Sequence, residues 1–175
     1  ALMFLLVHVN RFISKELFQK LYFKDELYMP TTDILLYKDV TFSRNIKSSI
    51  RRKIKNRFEV SLPSEKDEID SEEEARKRII DIVPLIRNSL RGNKLLLQHL
   101  TEYNFMRNLI GASVVAVLFA IIALIISLCY GAKGYTYMSV FFLFCYLLPL
   151  VLSKIIIKRH GKYYAKTLYQ QFLTL

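Results

Sequence analysis

The sequence predicts an all-α integral membrane protein: a C-terminal two-helix transmembrane hairpin joined to a helical cytoplasmic region. Three observations predict it. Two long windows, 108–132 and 134–153, hold no charged residue. The basic residues crowd before and after them, with 20 of the 26 Lys and Arg in residues 10–107. Elsewhere, apolar residues recur at helical rather than alternating spacing.

Each window is long enough to matter. A bilayer core of about 30 Å needs roughly 20 apolar residues of helix, and a soluble helix seldom stays apolar on every face for that length. The expected layout is a transmembrane helix over 108–130, an outer turn over 131–135, a second transmembrane helix over 136–157 and a basic amphipathic cytoplasmic tail over 158–175. Orientation follows from Lys and Arg, which stay on the cytoplasmic side in short loops. The tail carries Lys158, Arg159, Lys162 and Lys166, whereas the turn carries Lys133 alone. Both ends of the hairpin are therefore expected inside. Tyr130, Tyr135 and Tyr137 suit the outer interface, Tyr163 and Tyr164 the inner one. Lys154 is placed to snorkel, and Pro149 to kink the second span by removing a backbone donor.

The chain opens with Ala1-Leu-Met-Phe-Leu-Leu-Val7. Residues 1–9 read as the end of a membrane or buried helix that begins upstream, a trimmed soluble start being the alternative. In the helical region 10–107, Phe12, Ile13, Leu17, Leu21 and Tyr22 predict a helix over 10–28 that stops at Met29-Pro30. Thr31, Thr32 and Asp33 offer cap oxygens to the short apolar segment Ile34–Tyr37. A stripe of Ile46, Ile50, Ile54 and Phe58 predicts a helix over 43–58. Residues 61–74 form an acidic linker with seven carboxylates. At its end, Ser71 and Glu74 have the spacing of a capping box, and Glu72–Arg76 and Glu74–Arg78 are at ion-pair spacing. Ile79, Ile82, Val83 and Ile86 mark the buried face of the helix that follows. Pro84 is expected to bend it and Gly92 to end it. From Leu95 the pattern runs as one helix into the first span.

Chemistry-bearing groups are sparse. His99, Glu102, Tyr103 and Arg107 share one side of a helix before the membrane. They suit either a proton-handling or ligand site, or an interfacial ion-pair set that fixes helix depth. The basic run Arg51, Arg52, Lys53, Lys55 and Arg57 is dense enough to contact anionic lipid or a partner. Nucleic acid is the weaker choice, because Phe58 is the one aromatic beside it. Gly111, Ala112, Ala116, Ala120 and Ala123 form a small-residue stripe that favours helix packing and self-association. Cys129 and Cys145 lie in apolar windows and read as small hydrophobes. No metal set, cofactor loop or catalytic triad is readable, and Arg91 and His99 lack the spacing of small helical RNA-cutting domains. The spans hold no Asp, Glu, Lys, Arg or His before Lys154, which argues against an ion-coupled transporter.

At Glu73-Glu-Ala-Arg-Lys-Arg78, and at Leu95-Leu-Leu-Gln-His99 through Arg107-Asn-Leu-Ile-Gly111, the chain resembles uncharacterised bacterial integral membrane proteins over residues 72–112. Its layout is similar to the small membrane effectors of bacterial anti-phage defence systems. That resemblance implies a non-enzymatic, inner-membrane, multi-pass effector or channel-like subunit, homo-oligomeric in the bilayer. Its cytoplasmic helices would receive a signal or a soluble protein complex. The alternative is a non-catalytic anchor or scaffold that docks a soluble complex.

Overall fold

The structure is a computed structural model that describes residues 2–24 and 26–175. Ala1, counted above in the opening apolar run, lies outside the described residues, and so does the side chain of Leu17. Every regular element among the described residues is helical. The chain divides into two compact units, Ala1–Gln19 with Asn104–Ile157, and Lys20–Tyr103 with Lys158–Leu175.

In the first unit, α1 (Leu2–Phe12) continues into a π-helical stretch, Ile13–Gln19. The register expected over 10–28 does not survive this. Phe12 and, beyond the π stretch, Leu21 are exposed, whereas Ser14, Phe18 and Phe23 are buried. A π turn bonds i to i+5, so positions extrapolated at 3.6 residues per turn rotate off the packed face. Helix α7 (Lys94–Cys129) and helix α8 (Lys133–Val151) are each long and apolar enough to cross a membrane. Between them Gly131 adopts φ +64°, and Ala132 N–H donates to the Ser127 carbonyl at 2.9 Å, which closes α7. Helix α8 stops at Val151, two residues beyond Pro149, and α9 (Ser153–Thr174) begins after Leu152. The second apolar helix thus ends at Val151 and not at 157, shortly after Pro149, whose ring removes one backbone donor.

The second unit begins with α2 (Lys20–Phe23), which ends where Lys24 turns to φ +43°. The helix expected to reach 28 therefore ends at Phe23. Pro30 does not stop a helix but opens one, at the first position of α3 (Pro30–Asp33), where its missing N–H costs nothing. The cap oxygens expected of Thr31 and Thr32 are used otherwise: Thr32 Oγ1 donates to the Glu26 carbonyl, and no side chain caps α3. Helix α4 (Arg44–Phe58) is capped by Ser43 and buries Ile50 and Ile54, while Ile46 is exposed.

The acidic linker is itself partly helical, as α5 (Glu65–Asp70). The capping box stands here: Asp67 N–H donates to Ser64 Oγ at 3.2 Å, and Ser64 N–H to Asp67 Oδ2 at 2.7 Å. The box expected at Ser71 is absent. Ser71 makes no side-chain cap bond to α6 (Glu72–Ser89). Its own N–H closes α5 on the Asp67 carbonyl, and the Glu74 carboxylate is held by Lys77. In α6, Ile79, Ile82, Val83 and Ile86 are all buried, as their spacing predicts. Gly92 (φ +89°) then turns the chain, and Asn93 Oδ1 accepts from Leu96 N–H to cap α7.

The core of this unit is completed by the C-terminal segment. Tyr164, Ala165, Leu168, Tyr169 and Phe172 are buried with Ile34, Leu35, Ile50, Ile54, Ile79 and Ile86. The Tyr169 hydroxyl donates to the Thr31 carbonyl at 2.5 Å, and Phe172 stacks on Phe58 with centroids 5.9 Å apart. Tyr164, expected at the inner membrane interface, lies in this core instead; Tyr163 is exposed. The reason is its position one turn before Leu168 on the buried stripe of α9.

Candidate functional site

Along α4 the basic residues divide into two kinds. Lys47 is buried, and its ammonium donates to the carbonyls of Leu36 and Asp39. Burial pulls its pKa down, against the attraction of Asp39 and Glu68. Arg51 also turns inward. It donates to the carbonyls of Pro63 (2.5 Å) and Leu35 (2.7 Å), reaches Glu68 at 3.4 Å and lies 4.0 Å over the Tyr37 ring. Burial raises the Glu68 carboxyl in turn, opposed by the Tyr37 N–H and by Arg51. Lys53 donates to the Leu173 carbonyl at 2.9 Å. Arg52, Lys55 and Arg57 are exposed, and Arg52, Lys53 and Arg57 border a shallow groove with Ser49 and Asn56. Of the five cations read as a lipid or partner contact, Arg51 is a half-buried cross-link and three remain wholly on the surface.

Of the juxtamembrane set, His99 Nδ1 and Glu102 Oε2 are 3.2 Å apart, and Gln98 Nε2 donates to Glu102 Oε1 at 3.1 Å. All three are neighbours on α7. Tyr103 is buried at 7% exposure, while Arg107 is half-buried and belongs to the other unit.

Along the small-residue stripe, Gly111 and Ala120 are buried, Ala116 is half-buried, and Ala112 and Ala123 are exposed. Gly111 packs on the N-terminal helix: a Cβ there would stand 2.6 Å from Asn10 Oδ1 and 2.8 Å from Ser14 Cβ. Ser113, Ala120 and Ser127 are buried at a spacing of seven. Ser127 Oγ accepts from Thr136 Oγ1 at 3.1 Å, which ties α7 to α8. Sequence reading counted Ser113 among the small residues of this helix but missed Ser127; the heptad spacing of small residues was its signal.

A further cluster was not foreseen. Arg76, 3% exposed, donates to Glu72 Oε1 (2.7 Å), Asp33 Oδ1 (2.7 Å) and the Leu27 carbonyl (2.8 Å), and lies 4.3 Å over the Tyr28 ring. Burial alone would lower its pKa; the two carboxylates outweigh that and raise it. The pair with Glu72 is the one its i,i+4 spacing predicts. The carboxyl of Glu72 is lowered by hydrogen bonds from Lys38 (2.6 Å) and Arg76. Arg76 borders a cleft of about 780 Å³, whose other cations are Lys24, Lys38, Lys158 and Lys162. Nothing in the local sequence announces it, because the lining comes from both ends of the chain.

No family model, curated protein or solved structure matches the chain.

Proposed function

We propose that the chain is a subunit of a bacterial inner-membrane effector or channel-like assembly. In this reading α7 and α8 lie in the bilayer as a hairpin with both ends inside. The unit built on α4, α6 and α9 stands in the cytoplasm and receives a signal or a soluble partner. Copies associate through their membrane helices and disturb the bilayer, as a defence against phage would require.

One observation carries this reading. Of the most apolar 18-residue windows, only 22% of that in α7 and 6% of that in α8 is buried. A core helix of a soluble protein would be covered by its own chain. Here Phe119, Ile122, Ile125, Phe141 and Phe144 are each exposed, apolar surface that lipid or further copies must cover.

The test joins topology and leak, in a variant whose Cys129 and Cys145 are replaced by Ser. Lys133→Cys should react with an impermeant maleimide in intact cells, and Ile69→Cys only after permeabilisation. Liposomes holding the purified chain should release a trapped small dye once it is triggered or overloaded. A reversed labelling pattern would sink the hairpin reading. Correct labelling without leak would replace the effector by the anchor or scaffold, which the uncharged interior of both spans favours.

A further inference from the structure

The cleft bordered by α2, α3, α6 and α9 holds more positive charge than its own carboxylates neutralise. Glu72 and Asp33 are taken up by Arg76 and Lys38. Asp39 accepts from the N–H and hydroxyl of Thr41 and so closes its own turn. Lys24, Lys158 and Lys162 remain, and among the described residues no carboxylate lies within ion-pair distance of any of them. Lys158 and Lys162 stand one turn apart on α9, an i,i+4 pair of like charges that is unfavourable on a helix unless an anion sits between them. Lys24 lies 5.2 Å over the ring of Tyr28, whose ring also carries Arg76. The cleft volume of about 780 Å³ lies in the range of small-ligand sites.

We propose that this cleft binds a phosphate-bearing anion, with Lys24, Lys158 and Lys162 as its counter-charges and Tyr28 as an aromatic wall. Lysine suits the task as a compact point charge with rotatable donors that can close on tetrahedral oxygens. Arg76 fixes the wall, held rigid by Glu72, Asp33 and the Leu27 carbonyl, and is not itself free to reach the anion. The phosphate has two sources, a soluble organic phosphate or a lipid headgroup. The second is raised by the sequence, because Lys158 follows directly on the apolar residues Ile155-Ile-Ile157. The inference deepens the receiving role given to this unit, and its assay needs no bilayer, so it fails or stands apart from the leak assay.

The full chain in dodecyl maltoside, which carries no phosphate, is titrated with sodium tripolyphosphate by calorimetry. In a second arm, native mass spectrometry counts phosphatidic acid against phosphatidylcholine retained by the chain. Lys158→Gln/Lys162→Gln, and separately Lys24→Gln, should weaken whichever anion binds by about tenfold or more, while Arg52→Gln/Arg57→Gln on α4 should change it by less than about twofold. Binding of tripolyphosphate assigns a soluble ligand, and retention of phosphatidic acid alone assigns a headgroup. The proposal is overturned if neither binds, if the lysine variants bind like wild type, or if the α4 control loses as much.

Discussion

The chain's arginines, lysines and glycines differ in what they do according to one or two neighbouring atoms. Arg51 and Arg76 are both enclosed, both stacked on a tyrosine and both bonded to backbone carbonyls, so each joins segments far apart in sequence. An exposed cation of the same type, such as Arg52, does none of this. Gly111 shows the same dependence with no charge involved. A methyl group at that position would meet Asn10 Oδ1 at 2.6 Å, Ser14 Cβ at 2.8 Å and the Asn10 carbonyl at 3.0 Å. The last is backbone and cannot swing aside. Gly111→Ala should therefore loosen the N-terminal helix from α7, at a cost of about 1–3 kcal/mol for forced overpacking. Hydrogen exchange over residues 7–14 is the measurement, and faster exchange is the expected outcome. Unchanged protection there would mean that the two helices are not in contact at Gly111.

Among the elements, the passage from α5 to α6 separates two serines that look alike in sequence. Ser64 and Ser71 each precede an acidic residue at the third position, and each begins a helix. Only Ser64 forms the reciprocal box. Ser71 is the closing residue of α5, with φ −155° and ψ 92°, and its hydroxyl makes no bond to the first turn of α6. Ser64→Ala should cost about 1 kcal/mol of local stability, while Ser71→Ala should fall within a few tenths. Exchange of the Asp67 amide should rise in the first variant, and that of the Glu74 amide should be unmoved in the second. The reverse ranking would restore the box to Ser71. Spacing could not separate the two, because a capping box is decided by the backbone angle of its first residue and by rivals for its carboxylate. Here Lys77 is such a rival for Glu74, 2.9 Å away.

For the whole molecule, legibility followed how local each signal is. The two uncharged windows and the stripe of Ile79, Ile82, Val83 and Ile86 are properties of continuous segments, and both were readable. The cleft joins Lys24 to Lys162 and could not be read from any window. The role of α9 was legible in principle. Its buried residues Tyr164, Ala165, Leu168, Tyr169 and Phe172 follow a clean helical stripe, but the charges of Lys158, Arg159, Lys162 and Lys166 drew the reading toward a surface tail. Its energetic weight can be judged. Burial of a Leu- or Phe-sized side chain is worth roughly 1.5–3 kcal/mol, and Tyr164, Leu168, Tyr169 and Phe172 together rival the roughly 5–15 kcal/mol by which a domain is stable at all. Truncation after Ile157 should therefore unfold the unit built on α4 and α6 while the apolar helices still insert. Tyr169→Phe, which keeps the ring and loses only the bond to the Thr31 carbonyl, should cost no more than about 0.5–1.5 kcal/mol. Amide exchange over residues 79–86 reads both variants: near-complete loss of protection in the truncation, and a small uniform decrease in Tyr169→Phe. Protection that persists in the truncated chain would show that α9 covers a core which the remaining helices can close by themselves.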